Sequence, residues 1–177
     1  MNLILIGYRG CGKSTIGPLV ARRLRQRFVD LDDLIVEQTG KTIRQIFSEE
    51  SEAGFRSRER ASFQKIRKLK DCVIALGGGA VMDPENRALT RRMGKVVWLR
   101  APAVVLWSRI KADPASAETR PALTPGGGLA EVEETLARRE PLYRRAAHHT
   151  IDTVSASAEA VAESIELWFR ANDAGRA

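Results

Sequence analysis

One octapeptide near the N-terminus constrains this chain more than any other feature. Residues 7–14, with the sequence GYRGCGKS, fit the pattern G-x-x-x-x-G-K-[ST] without a substitution. An apolar run at 2–6 precedes them, and apolar residues at helical spacing follow over 13–25. Glycines let a loop adopt left-handed torsions, and the N–H groups that begin a helix then face an anion. The order of strand, loop and helix therefore predicts a phosphate-binding loop (P-loop) at the start of an α/β domain.

The rest of the chain repeats this alternation. Short apolar runs bounded by turn residues occur at 2–6, 28–29, 72–76, 96–99 and 149–151, and helix-spaced apolar residues occur at 13–25, 52–69, 103–111, 129–145 and 156–170. Short apolar strands separated by helices are typical of a parallel sheet that is buried on both faces. We predict a three-layer α/β fold with a five-stranded parallel sheet flanked by helices. With 177 residues and neither a repeat nor a linker, the chain is predicted to form one domain over 1–177.

The charge balance favours anionic ligands. Lys and Arg number 29 against 22 Asp and Glu, which gives a formal net charge of +7. Only seven of the 29 are lysines, so arginine dominates, and its planar guanidinium binds carboxylates and phosphates through paired hydrogen bonds. The basic run at 22–27 has no interleaved aromatic residue, so nucleic acid is not an expected partner.

Cysteine usage and the N-terminal residues bear on location. Cys11 and Cys72 are too few for a disulfide framework. The apolar run at 3–6 is far too short to span a membrane, and no basic segment or cleavage-site pattern marks a signal peptide. We therefore expect a cytoplasmic protein that does not bind a membrane, and we expect a monomer.

The residue types within the octapeptide have defined uses. The Lys13 ammonium is expected to reach the β- and γ-phosphates of a nucleotide, and the Ser14 hydroxyl is expected to bind Mg²⁺. Gly10, Cys11 and Gly12 of the octapeptide, and Thr15 directly after it, are also expected to contact the nucleotide. Cys11 precedes a helix, where a thiol pKa can fall, but we interpret it as a small loop residue.

Motifs of other nucleotide-binding classes are missing from the sequence. No Asn-Lys-x-Asp segment for guanine recognition occurs, and the apolar run at 73–76 ends in three glycines instead of an acid. The candidate acids for holding the metal are Asp30 and Asp32, which follow the second apolar run. The carboxyl end of that predicted strand should lie beside the phosphate-binding loop, at the binding edge of the sheet. One carboxylate can hold the metal through water while the other orients and deprotonates an acceptor hydroxyl. The alternative use is helix N-capping, which we favour for Asp33.

Arginines and glycines later in the chain have binding uses beside structural ones. Arg56 and Arg139 lie in separate predicted helices and can converge on one carboxylate, or each can lie on a solvated helix face. The run 77–79 lets backbone N–H groups approach a polyol, or forms only a strand-end turn. Arg120 lies in the Pro/Gly-rich segment 112–128, which is either a lid over the transferring phosphoryl group or a surface loop.

Six motifs in order resemble those of the shikimate kinases. They are residues 7–14, Asp30-Leu31-Asp32, Gly54-Phe55-Arg56, LGGGA at 76–80, Arg120-Pro121 and REPLYR at 139–144. The resemblance extends from residue 2 to about residue 165. The Gly-Cys-Gly form of the phosphate-binding loop and AGFR at 53–56 are similar to the second of the two bacterial isozyme types.

The resemblance implies a P-loop kinase fold with a substrate-binding helical segment at about 31–60 and a lid at about 112–128. It implies phosphorylation of the 3-hydroxyl of shikimate by ATP with Mg²⁺, in the pathway to chorismate and the aromatic amino acids. The implied catalytic residues are Asp32 as the base, Lys13 and Arg120. The other implied roles are Asp30 with Ser14 in the Mg²⁺ shell, Arg56 and Arg139 at the substrate carboxylate, Gly77, Gly78 and Gly79 in the substrate pocket, Arg120 at the ATP phosphates and Arg109 beside the adenine.

Two other functions stay open at this point. A P-loop kinase for another hydroxy acid, such as gluconate, would share the phosphate-binding loop, but the Asp30/Asp32 pair, Arg56 and the triple glycine argue against it. A nucleic-acid-binding P-loop protein is suggested only by the net charge. Affinity that falls steeply with salt concentration would identify the latter.

Overall fold

The computed structural model describes residues 1–113 and 128–173, in which strands and helices alternate. The elements are β1 Asn2–Ile6, α1 Lys13–Leu24, β2 Arg27–Asp30, α2 Leu31–Thr39, α3 Ile43–Ile66, β3 Cys72–Ala75, a 3₁₀ helix Ala80–Met82, α4 Pro84–Met93, β4 Gly94–Arg100, α5 Ala103–Ala112, α6 Gly128–Ala146, β5 His149–Asp152 and α7 Ala158–Asp173.

The strands form one parallel sheet in the order β2-β3-β1-β4-β5. This confirms the predicted five-stranded parallel sheet. β1 is the central strand, and the chain places β3 on one side of it and β4 on the other. Ligands of such sheets bind outside the carboxyl ends of the strands, where the strand order reverses. The phosphate-binding loop follows β1 and the triple glycine follows its neighbour β3, so both lie at this point.

The sheet is buried on both faces, as predicted for a three-layer fold. Leu3 and Leu5 of β1 belong to a hydrophobic cluster with α1, α5 and α7, whereas Ile4 and Ile6 belong to a cluster with α2 and α3. Successive strand residues point to opposite faces, so one apolar run serves both clusters. All four side chains are at most 1% exposed, and burying each contributes about 1.5–3 kcal/mol.

Local signals start the helices beside the site. The Asp30 carboxylate caps α2 by accepting the amide N–H of Asp32. Thr42 and Gln45 form a capping box at the start of α3. Within α3, Ser51 has φ 65° and interrupts the helical backbone, so the helix predicted from residue 52 is the part of α3 that follows this interruption. Asp83 caps α4, which begins with Pro84.

Helix α6 connects the two hydrophobic clusters. Val132, near its N-terminal end, belongs to the cluster with α1, α5 and α7, whereas Tyr143 belongs to the cluster with α2 and α3. The helix therefore passes from one layer to the other and contacts α5, α4 and the 3₁₀ helix on its way. This path brings residues from late in the chain to the glycines after β3.

Two regions lie outside the predicted alternation of strands and helices. α4 lies in a stretch for which no helix was predicted. Most of the predicted lid, with Arg120, falls at 114–127, outside the described residues. Among the described residues, no helix is long and apolar enough to cross a membrane.

Candidate active site

The phosphate-binding loop has the backbone that its sequence predicts. Gly7, Gly10 and Gly12 have φ values of 145°, 80° and 100°, which side-chain-bearing residues rarely adopt. A Cβ at Gly7 would collide with the carbonyl oxygen of Leu99 on β4. α1 begins at Lys13, within the octapeptide, so the N–H groups that begin this helix face the same space as the loop amides.

Lys13 is folded back over the loop in this structure. Its side chain is buried, and its ammonium donates hydrogen bonds to the carbonyl oxygens of Gly7 at 2.9 Å and Tyr8 at 3.2 Å. It also lies 3.6 Å from the Cys11 Sγ. The loop therefore holds a positive charge at its centre, which favours an anion there.

Ser14 and Asp30 meet beside the loop. The Ser14 hydroxyl donates to Asp30 Oδ2 at 3.0 Å, while Asp30 Oδ1 accepts the amide of Asp32. Burial raises the pKa of Asp30, and the neighbouring charges of Asp32 and Asp33 raise it further. A buried carboxylate oxygen beside an exposed hydroxyl oxygen suits a hard divalent cation at the edge of the cavity.

A cavity of about 710 Å³ opens at the phosphate-binding loop. Its walls include residues 9–16, Asp30 and Asp32. Arg109 also lines this cavity, where it donates to the Gly10 carbonyl oxygen of the phosphate-binding loop at 3.4 Å. It donates as well to the Thr153 hydroxyl at 3.0 Å and to the Thr153 carbonyl oxygen at 2.6 Å, which ties α5 to the segment after β5. The cavity is large enough for a nucleotide.

A second, smaller cavity of about 70 Å³ adjoins the first. Arg9 and Asp32 line both cavities. The other walls of the smaller cavity come from α3, the triple glycine, the phosphate-binding loop and α6, in the form of Tyr8, Ile43, Phe47, Phe55, Arg56, Glu59, Gly77, Gly78, Gly79 and Arg139. The structure thus brings together the predicted substrate residues of the described segments.

The triple glycine leaves room for charged side chains. A Cβ at Gly77 would lie 2.7 Å from Asp32 Oδ1 and 3.1 Å from Glu59 Oε1, and one at Gly79 would collide with the Arg56 guanidinium. At Gly78 the Arg139 Nη1 lies 3.5 Å from the Cβ position. Each glycine therefore admits a different ionisable group to the wall of the small cavity.

Glu59 is a site residue that the sequence reasoning missed. It is 3% exposed and accepts a hydrogen bond from Arg56 at 2.8 Å, while Glu52 pairs with the other side of the guanidinium at 3.1 Å. Burial raises the pKa of Glu59, although the Arg56 charge opposes that change. Its position three residues after Arg56 on the same helix was the available signal.

Arg139 reaches the small cavity from α6. Its guanidinium carbon lies 5.7 Å from the centroid of the Tyr8 ring, within cation–π distance. The Tyr143 hydroxyl, one turn along α6, donates to the Gly78 carbonyl oxygen at 2.6 Å. Arg56 and Arg139 therefore approach one cavity from two helices.

The carboxyl end of β2 lies beside the phosphate-binding loop, as predicted, although β3 separates β2 from β1 in the sheet. Asp30 and Asp32 reach the phosphate-binding loop through α1, whose Ser14 contacts Asp30. Thr15, Gly10, Cys11 and Gly12 line the large cavity as predicted for ATP-contacting residues, while their roles stay predictions.

Comparisons with known proteins agree on one family. The shikimate kinase family model matches residues 9–169. A shikimate kinase of Rhodopirellula baltica is 45% identical over 152 residues, covering 86% of this chain and 81% of that protein. One of Syntrophus aciditrophicus is 41% identical over 178 residues, covering 96% and 91%.

Solved structures lead to the same family. The shikimate kinase of Acinetobacter baumannii in complex with shikimate superposes with a TM-score of 0.90 at 36% identity, covering 97% of this chain and 93% of that one. The shikimate kinase of Aquifex aeolicus gives a TM-score of 0.83 at 30% identity, covering 99% of each chain. A model that matches most of the chain, and relatives this similar over nearly their whole length, leave one conclusion: the chain belongs to the shikimate kinase family.

Proposed function

We propose that the large cavity binds ATP, that the small cavity binds shikimate, and that Asp32 acts between them. The family activity, ATP-dependent phosphorylation of shikimate, requires a nucleotide and a hydroxy acid side by side. The observation that carries the assignment is that Asp32, 7% exposed, lines both cavities. A residue at that junction can contact the acceptor hydroxyl and the transferring phosphoryl group together.

The acceptor is held at its carboxylate end. Arg56 and Arg139 supply guanidinium donors to the small cavity, and Glu59 fixes the orientation of Arg56 through the 2.8 Å ion pair. A carboxylate bound by the two arginines places the ring of shikimate against Gly77–79, where no side chain obstructs it. The 3-hydroxyl then faces Asp32.

Phosphoryl transfer proceeds from this arrangement. The acceptor oxygen forms a bond to the γ-phosphorus as the bond from that phosphorus to the β,γ-bridging oxygen breaks, and ADP leaves. Asp32 takes the hydroxyl proton as the base. Lys13 and the loop N–H groups stabilise the charge on the phosphate oxygens, and Lys13 exchanges its bonds to the Gly7 and Tyr8 carbonyls for phosphate oxygens.

Mg²⁺ fits the residues present. Ser14 and Asp30 offer two oxygen donors 3.0 Å apart at the edge of the nucleotide cavity. The described residues contain no group of three or more His, Cys, Asp or Glu side chains that could hold a metal, and Mg²⁺ typically needs only one or two protein oxygens because phosphates and water complete its shell. When bound, the ion neutralises phosphate charge. The proposed ligands are Ser14 directly and Asp30, directly or through water.

Three further proposals concern the remaining arginines, the state and location of the chain, and the substrate-binding segment. Arg109 borders the adenine end of the nucleotide cavity, and Arg120, outside the described residues, contacts ATP phosphates from the lid. The chain acts as a single-domain monomer in the cytoplasm, with no nucleic-acid or membrane partner. Residues at about 31–60, which include α2 and most of α3, form the substrate-binding helical segment.

The test measures ADP formation by purified protein with ATP, Mg²⁺ and either shikimate or gluconate. We expect turnover with shikimate and none with gluconate above the background without acceptor. Asp32→Asn should lower kcat by about 10²–10⁴-fold, the usual contribution of a general base. Glu37→Gln, which removes an exposed carboxylate from the same helix α2 and lines neither cavity, is the matched control and should keep kcat within about threefold. Equal losses in the two variants would contradict the role of Asp32.

A further inference from the structure

Two tyrosines without an assigned role lie on either side of Arg139. Tyr8 is the second residue of the phosphate-binding loop and is 2% exposed, and Tyr143 is fully buried on α6. The two come from different layers: Tyr8 packs in the cluster with α1, α5 and α7, and Tyr143 packs in the cluster with α2 and α3. Arg139 is the group that they have in common.

The ring of Tyr8, and not its hydroxyl, makes the specific contact. The guanidinium carbon of Arg139 lies 5.7 Å from the ring centroid. The Tyr8 hydroxyl lies near the Thr135 hydroxyl, but within residues 1–113 and 128–173 neither of these two groups has a partner in hydrogen-bond geometry. Burial raises the pKa of Tyr8, so the ring stays neutral at physiological pH. A buried hydroxyl without a partner costs stability, so the stabilising contact at this position comes from the aromatic face.

Tyr143 connects Arg139 to the glycine wall. Its hydroxyl donates to the Gly78 carbonyl oxygen at 2.6 Å and also lies against the Arg139 guanidinium. Trp98 of β4 packs on the Tyr143 ring, with centroids 5.9 Å apart. The hydroxyl is therefore fixed in place by the sheet while it contacts both the backbone of the wall and the arginine.

We propose that Tyr8 and Tyr143 are positioning residues that hold the Arg139 guanidinium in the orientation that receives the substrate carboxylate. An arginine side chain has many rotamers, and contacts that select one of them before binding reduce the entropy lost on binding. The inference rests on the proposed role of Arg139 in the small cavity. It assigns to a residue of the phosphate-binding loop a contribution to the affinity for the acceptor, not for the nucleotide.

The first experiment replaces the Tyr8 ring and measures steady-state kinetics with each substrate varied in turn. Tyr8→Leu should raise the KM for shikimate about three- to tenfold, because that change in affinity corresponds to the free energy of a cation–π contact. It should leave the KM for ATP within about twofold, because the backbone amides that bind the nucleotide are unchanged. Tyr8→Phe keeps the ring and should restore the shikimate KM. It should also leave Tm unchanged or raise it, because the removed hydroxyl has no partner.

Tyr143→Phe tests the second residue independently. It keeps the ring against Trp98 and removes the donor to Gly78, so we expect a raised KM for shikimate with an unchanged KM for ATP. Phe169→Leu, in the same hydrophobic cluster as Tyr8 but on α7, is the control for lost packing and should change neither KM. If Tyr8→Leu does not fold, Tyr8→Met, whose flexible side chain fills irregular gaps, replaces it.

The outcomes separate this inference from the proposed function. Arg139→Ala should raise the KM for shikimate more than either tyrosine variant. If Arg139→Ala leaves that KM unchanged, the proposed role of Arg139 is wrong. If Arg139→Ala raises it while Tyr8→Leu and Tyr143→Phe do not, or if Tyr8→Leu raises the KM for ATP at least as much as that for shikimate, the positioning role is overturned and the proposed function stands.

Discussion

At the scale of single residues, Lys13 shows how a functional side chain can also have a structural contact. Its sequence position predicts a phosphate as its partner. The structure adds hydrogen bonds from the ammonium to the Gly7 and Tyr8 carbonyl oxygens, at 2.9 and 3.2 Å. The residue therefore stabilises the loop before a nucleotide arrives, and its removal affects more than catalysis.

Replacing Lys13 by alanine should separate these two contributions. We expect Lys13→Ala to lower kcat by about 10²–10³-fold, because a preorganised donor to the transferring phosphate is lost. We also expect the free energy of unfolding to fall by about 1–2 kcal/mol, because two buried hydrogen bonds from a charged donor are lost. Lys111→Ala, at an exposed position on α5, controls for the lost charge. A large loss of stability with little loss of kcat would show that Lys13 is structural.

Two glycines separate the two reasons for which a position needs glycine: a positive φ, and the absence of a side chain beside another group. Gly79 has an ordinary backbone conformation, but a Cβ there would displace the Arg56 guanidinium. Gly40 has φ +65° and nothing within 4 Å of its Cβ position. We expect Gly79→Ala to lower kcat/KM for shikimate by about 10–100-fold with little change in stability. Gly40→Ala should lower the free energy of unfolding by about 1–2 kcal/mol and leave kcat/KM unchanged. The reverse pattern, measured by chemical denaturation and kinetics, would contradict both readings.

At the scale of elements, the strands and helices whose signals lie in neighbouring residues of the sequence were predicted best. Each of the five apolar runs is a strand, and α1 begins directly after the phosphate-binding loop as expected. The helix expected from residue 52 is the part of α3 that follows Ser51, whose positive φ interrupts the helical backbone. α4 was not predicted, since it exposes many polar side chains, although Asp83-Pro84 is a start signal that a search for caps finds.

The start of β5 offers a test by pH. His148 Nδ1 accepts the Val96 N–H at 3.0 Å, so that nitrogen must be unprotonated. Burial lowers the pKa of His148, and the charges of Arg91 and Lys95 lower it further. Between this lower value and the ordinary value of about 6.5, the unfolded chain binds the proton more readily, so stability is lost as the pH falls.

His148→Asn keeps an acceptor for the Val96 N–H and removes the titration. We expect the Tm of the wild type to fall more than that of His148→Asn when the pH is lowered from about 7.5 to 5.5. Differential scanning calorimetry of the two proteins in the same buffers measures the difference, to which other titrating groups contribute equally. Parallel decreases would mean that His148 does not couple β4 and β5 to pH.

At the scale of the whole molecule, the site forms because three distant parts of the chain meet at one edge of the sheet. The phosphate-binding loop, Asp30 and Asp32, and the triple glycine follow β1, β2 and β3, whose carboxyl ends lie together. The parallel sheet predicts this meeting. The position of β3 between β1 and β2 is not predictable from local patterns, because strand order depends on packing between elements far apart in sequence.

The residues that support the site through tertiary contacts could not be predicted from the sequence either. In the sequence, Glu59 is one of several charged residues of a helix. Only the structure shows that it is 3% exposed and pairs with Arg56. Tyr8 occupies a position where the loop pattern allows any residue, and only the path of α6 places Arg139 over its ring. Motifs thus predicted residues that line the two cavities, while the residues that support them depend on the assembled fold.

The central claim is that one junction, at Asp32, joins a nucleotide cavity to a carboxylate-binding cavity. A crystal structure of the protein with ADP and shikimate tests it most directly. We predict the shikimate carboxylate within hydrogen-bond distance, about 2.7–3.2 Å, of both Arg56 and Arg139, with the 3-hydroxyl at Asp32 and the ADP phosphates at the phosphate-binding loop. Shikimate bound with its carboxylate away from both arginines, or with no hydroxyl near Asp32, would contradict the claim.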